Sequence, residues 1–149
     1  MDPAVVSIIV ADAQQSGAFV LSEADFFRSR DQVTVAQSGP LSNGTVLGQI
    51  TATGKYVASS STATDGSEIA SAVLWEDIDA TLSDVLASVI SRDAEVLASS
   101  LAYDASVNTD TLKQQKWAQL AVSGIVVRLQ DNPEARAANM MQQIYRQGA

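Results

Sequence analysis

Turn-forming residues cut the first half of this chain into short β-prone runs. Val33-Thr34-Val35 reads as a strand, and Ser38-Gly39-Pro40 and Ser42-Asn43-Gly44 read as turns on either side of Leu41. Residues 45–53 form a second β-prone run, closed by Gly54, and Tyr56-Val57 ends the region. After a small polar loop at 58–64 and a turn at Asp65-Gly66, residues 69–75 read as a buried strand. Its alternation puts Val73 and Trp75 on one face and Leu74 on the other. Residues 82–92 fit two periods: Leu82, Val85, Leu86 and Val89 have helical spacing, while Val89-Ile90 followed by Arg92-Asp93-Ala94-Glu95-Val96 favours strand. The period then changes. Asn108-Thr109-Asp110 offers an N-cap, Leu112, Trp117, Leu120 and Ala121 form one apolar helical face, and Gly124 is a natural stop. Ile125-Val126-Val127 is a closing strand. In the tail, Asn132 caps, Pro133 suits a first helical position, and Ala137, Met140, Met141 and Ile144 share a face. So short a helix is marginal alone in water, so it is expected to pack on the body or on a neighbour.

The N-terminal pattern differs. Val5, Val6, Ile8, Ile9 and Val10 would form a strand edge that invites pairing with another chain. A first strand of the protein's own sheet would satisfy the same backbone groups equally well. The stretch lacks a basic leader and is too short and β-rich for a signal peptide. Phe26 and Phe27, where arm joins body, would point to opposite faces if extended, one into the core and one toward a partner. The alternative is a bend with both rings in the core. The resulting expectation is a mainly β protein with a short helix before the last strand and a C-terminal helical tail. Its parts are an arm at 1–21, a body at 22–128 and a helical extension at 129–149.

Composition narrows the function classes. A length of 149 residues suits one domain plus arms. The apolar set leans on Ala, Val, Ile and Leu, with only 5% aromatics, which suits thin sheets and subunit seams better than a large ligand cavity. A net charge of −8 repels phosphate backbones, so nucleic-acid binding is not expected. No apolar run approaches membrane-spanning length. Without His or Cys, the commonest acid–base and thiol arrangements are excluded, as is Cys-ligated zinc. The run GQITATGK ending at Lys55 lacks phosphate-loop spacing, and Tyr56 replaces the magnesium-binding hydroxyl. Lys55 reads as a solvated turn lysine. Asp65-Gly66-Ser67-Glu68 and Glu76-Asp77-Ile78-Asp79 lack calcium-loop spacing. Asp93 and Glu95, beside Arg92, read as a surface ion-pair network. A Ser–Lys dyad stays formally open through Lys113 or Lys116, with no serine located. No cofactor and no enzymatic activity are expected.

An ordered set of short motifs carries a resemblance. Arg28-Ser29-Arg30, Val33-Thr34-Val35, Gly44-Thr45-Val46-Leu47-Gly48 and Thr51-Ala52-Thr53-Gly54-Lys55-Tyr56 resemble the lambda-type head decoration proteins of tailed bacteriophages. The likeness continues through Asp65-Gly66-Ser67, Ala72-Val73-Leu74, Asp79-Ala80-Thr81, Arg92-Asp93-Ala94-Glu95-Val96 and Gly124-Ile125-Val126-Val127-Arg128, in the right order. It spans residues 21–128. The ordered set is more specific than any member, and the arm and the tail depart from the pattern.

The resemblance implies a β-clip-type domain that forms homotrimers on the outside of the phage head, at three-fold and quasi-three-fold positions. There it would bind the major capsid protein and resist the pressure of packaged DNA. On this reading the capsid-contact candidates are Val5, Val6, Ile8, Ile9, Val10, Phe19, Phe26, Phe27, Arg28 and Arg30. The inter-subunit candidates are Met140, Met141, Ile144 and Tyr145. Arg28 and Arg30 stand out in an acidic chain and suit either capsid carboxylates or partners within the subunit or trimer. A different class is a displayed module that binds glycans or host surfaces. It would call for exposed aromatics on a flat face, whereas Trp75 and Trp117 both read as core.

Overall fold

Side-chain alternation along the central strands builds two cores back to back. The computed structural model describes residues 15–129, together with Ile144. The arm residues Val5 to Val10 and the tail residues Met140, Met141 and Tyr145 lie outside the described residues. Within them the chain runs β1 (Val20–Glu23), β2 (Arg30–Val35), β3 (Pro40–Leu41), β4 (Val46–Gln49), β5 (Tyr56–Ala58), β6 (Ala70–Leu74), β7 (Ile78–Asp79), β8 (Val85–Ile90), β9 (Ala94–Leu97), α1 (Asp110–Ala121) and β10 (Ile125–Arg128). The protein is mainly β, with its helix before the last strand, as the pattern predicts. Among the described residues no helix is long and apolar enough to cross a membrane.

Strands β2, β5, β4, β6 and β8 close into a barrel in that order. Val35, Leu47, Ala72, Leu74, Ala87 and Val89 fill its interior. The longest ladder is antiparallel, β2 on β8, from Arg30↔Ile90 to Val35↔Val85. This resolves residues 82–92 in favour of strand and leaves Leu82 outside it, exposed. On β6, Leu47 pairs with Ala72 but Gly48 pairs with Ala70, so Ser71 is an extra residue. Such a bulge shifts the side-chain phase. Ala72 and Leu74 therefore enter the barrel, while Ala70 and Val73 face the second core.

That second core lies under a three-stranded sheet in the order β1-β9-β10, with α1 alongside. Phe19, Val46, Val73, Ile90, Val96, Leu120 and Ile125 form its buried centre. β1 is antiparallel to β9, whereas β10 is parallel to it, because α1 lies in the crossover between β9 and β10. Thr109 caps the helix by accepting from the Leu112 N–H, and Gly124, with φ of +80°, turns the chain into β10. The expected apolar face needs correction. The fully buried line is Lys116 and Leu120, with Leu112 half-buried, and Ala121 is exposed. Residues four apart stack on one face, while Ala121 is rotated about 100° beyond Leu120.

The expected arm boundary also shifts. β1 pairs Val20 with Val96 and Glu23 with Ala94, so a division at residue 21 would cut through a strand of the body.

Candidate functional site

The segment leading into β1 is locked to the body by Trp75. Gly17 has φ of +73° and its N–H donates to the Trp75 carbonyl at 2.9 Å. A Cβ at Gly17 would lie 2.3 Å from the indole ring, so only glycine fits against it. Phe19 follows, wholly buried and edge-to-face with Trp75, centroids 6.2 Å apart. This corrects the expectation that Phe19 contacts a capsid: its ring is part of the subunit's own core. The Arg30 guanidinium lies over Trp75, 3.6 Å from the ring centroid. It also forks onto the two Glu23 carboxylate oxygens at 2.6 and 2.9 Å. Arg30 is thus engaged within the subunit, which was the other reading open to it.

Beyond this lock the chain makes a tip. Residues Asp25–Phe27 form a single tight 3-10 turn. Phe26 has φ of 59° and Phe27 φ of 63°, a left-handed conformation that bulky side chains rarely adopt. The expected extended pair is therefore replaced by a bend, and the bend sends both rings outward: Phe26 is 94% and Phe27 67% exposed. The buried Ser29 holds the turn closed. Its hydroxyl accepts from the Ala24 N–H at 2.9 Å and donates to the Asp93 carbonyl at 2.7 Å. Arg92 adds a second clasp, donating to the Arg28 carbonyl and pairing with Asp31. Arg30 reaches back under Phe27, 4.9 Å from its centroid. Arg28 is exposed, its Nε donating to the Asp25 carbonyl at 3.2 Å, and among the described residues no carboxylate pairs with it. The tip thus presents two rings and a cation, held from behind.

The ion pairs around Arg92 use partners other than those expected, since Arg92 itself pairs with Asp31. Glu95 on β9 pairs with Arg128 at 2.6 Å, but Asp93 precedes the strand, in a turn with φ of 46°. Lys55 pairs with Asp84 at 2.6 Å.

One arrangement has the composition of a catalytic dyad. Lys116 is 3% exposed and donates to the Ser59 hydroxyl at 3.0 Å. Its other acceptors are the Ser60 and Glu68 carbonyls, so all three ammonium protons are committed. Burial pushes its pKa below the ordinary 10.5. Ser59 is itself 1% exposed and donates to the Ser67 carbonyl at 2.8 Å. The pair has no opening through which a substrate reaches the hydroxyl, and it ties the 59–68 loop to α1. Among the described residues no cluster of acidic side chains has the makings of a metal site.

Phe26, Phe27, Arg28 and Arg30 adjoin one another at the turn, and the groups that shape their surroundings, Ser29 and Trp75, were not among the expected contact residues. Lys116 carried a signal: it stands four residues from both Leu112 and Leu120 on the apolar line of α1. Ile144 is 63% exposed, and the other inter-subunit candidates lie outside the described residues. Residues 9–125 match the family described as "Bacteriophage lambda head decoration protein D". No curated protein matches the chain. The family match contains the whole tip and the Trp75 lock, and it stops before the tail.

Proposed function

The chain belongs to the bacteriophage lambda head decoration protein D family, and from that premise we propose that it attaches to the outer surface of the expanded phage capsid and holds the shell together by adhesion. The family is one of structural capsid proteins and not of enzymes. We further propose that the protein sits as a homotrimer at three-fold and quasi-three-fold positions, binds the major capsid protein and opposes the pressure of packaged DNA.

The observation that carries the contact reading is the tip. Two exposed phenylalanines are held in an unfavourable backbone conformation by a buried clamp, and strain maintained this way points to use rather than accident. Arg28 beside them supplies charge-assisted bonds to capsid carboxylates. The stretch from Val5 to Val10 would add a strand to an exposed capsid edge, its main-chain hydrogen bonds giving affinity. Three such attachments on one particle act together through effective concentration. The net charge of −8 favours the outside of the shell over its DNA-lined inside.

The test is to mix the purified protein with expanded heads that lack it. Co-sedimentation and a rise in the heads' thermal resistance are expected. Failure to bind would end the adhesion reading. Binding that survives deletion of the residues before Gln15 would remove the arm from the mechanism.

A further inference from the structure

A groove of about 490 Å³ opens between α1 and the loop after β9. Leu101, Tyr103 and Trp117 give it an apolar floor, with Asp110 and Lys113 on its lip. The Trp117 Nε1 donates to the Tyr103 hydroxyl at 2.7 Å, and the Lys113 ammonium lies 5.4 Å from the Tyr103 ring centroid. The floor is therefore pre-shaped. Leu129, after β10, also lines the groove while remaining exposed.

We propose that the groove receives the C-terminal segment of a second copy of this chain, through the stripe formed by Met140, Met141 and Ile144. Exposure favours a second copy over the chain's own tail. Ile144 is 63% exposed within a single chain, so its own subunit leaves it uncovered. Methionines suit an irregular aromatic groove, because the flexible thioether fits and makes favourable sulfur–ring contacts. Arg136 falls at the edge of the stripe at helical spacing, and Asp110 on the lip gives it an opposite charge that sets the direction of entry. Passing each tail to the next copy is a head-to-tail contact, which closes into a ring when the rotation allows. The inference rests on the self-association proposed above and is independent of capsid binding.

The chain has no cysteine, so introduced thiols report alone. The double variant Gln114→Cys and Gln143→Cys places one thiol on the exposed groove lip and one beside the tail stripe. Treated with a short bismaleimide in the absence of capsids, it is expected to give covalent oligomers on a denaturing gel. Adding Met141→Asp is expected to abolish them. A product linked only within single chains, or no product, would overturn the proposal. Sedimentation velocity on the same sample separates the cases. An oligomer without cross-links overturns this inference alone, and a monomer overturns the proposed trimer as well.

Discussion

Replacing Phe26 by glycine is expected to make this protein more stable and less able to bind. Phe26 is 94% exposed, so removing the ring forfeits almost no buried area. Its φ of 59° costs about 1–2 kcal/mol relative to an ordinary conformation, and glycine removes that cost. Glycine also loosens the unfolded chain, which returns about 0.5–1 kcal/mol. The net expectation is stabilisation of about 0.5–1 kcal/mol, a rise of roughly 1–4 °C in the thermal midpoint for a chain of this size. Phe26→Ala keeps the strain and removes the ring, so its midpoint should stay near the wild type. On the capsid both variants lose the burial of one phenylalanine, about 2 kcal/mol, or roughly 30-fold in affinity per site. Calorimetry reads the first quantity and quantitative co-sedimentation with expanded heads the second. A glycine variant less stable than the alanine variant would refute the strain argument. Unchanged binding in both would show that the ring touches nothing on the shell.

Three further outcomes follow from the same geometry. Arg30→Lys keeps the charge but loses the fork on Glu23 and the flat stack on Trp75, so chemical denaturation should show a loss of about 1–2 kcal/mol. Lys116→Met leaves the Ser60 and Glu68 carbonyls without their donor, which should cost about 1–3 kcal/mol at neutral pH. Because burial lowers the Lys116 pKa, the unfolded chain holds the extra proton just below pH 10.5; the wild type then gains stability as pH rises, and its advantage over the variant should widen there. On the acid side, hydrogen bonds from Ser67 and Thr81 and the Lys55 ammonium hold Asp65, Asp79 and Asp84 respectively below the ordinary 3.8. Their contribution is complete above that value and is lost as pH falls below it, so the triple Asn variant should flatten the fall in thermal midpoint between pH 5 and pH 3.

Much of the body was legible because strand phase is a local property. Val33 and Val35 face the barrel, a largely buried strand falls at 70–74 within the expected 69–75, with Ile69 exposed, and Thr109 and Gly124 bound the helix, all readable from short windows. What escaped depends on partners far along the chain. Phe19 looks the same in sequence whether it fills a core or meets a capsid, and only Trp75 decides between them. Local preference alone makes Phe26-Phe27 an extended pair. The Ser29 bond to Asp93 and the Arg92 bond to Arg28 impose the bend from across the fold. Lys116 stands open in sequence as half of a Ser–Lys dyad with no serine located, because Ser59 and the two carbonyls it meets come from the 59–68 loop. The extra residue at Ser71 carries no local mark at all, because its register belongs to the pairing with β4.

The lock at Gly17, Phe19 and Trp75 has a mechanical consequence. Consider a pull delivered at Gln15. It bears at once on a buried aromatic plug, with β1 behind it held antiparallel to β9. The residues that enter the body here work as a knotted rope drawn against a plate, so tension applied at this point loads the centre of the protein before its rim.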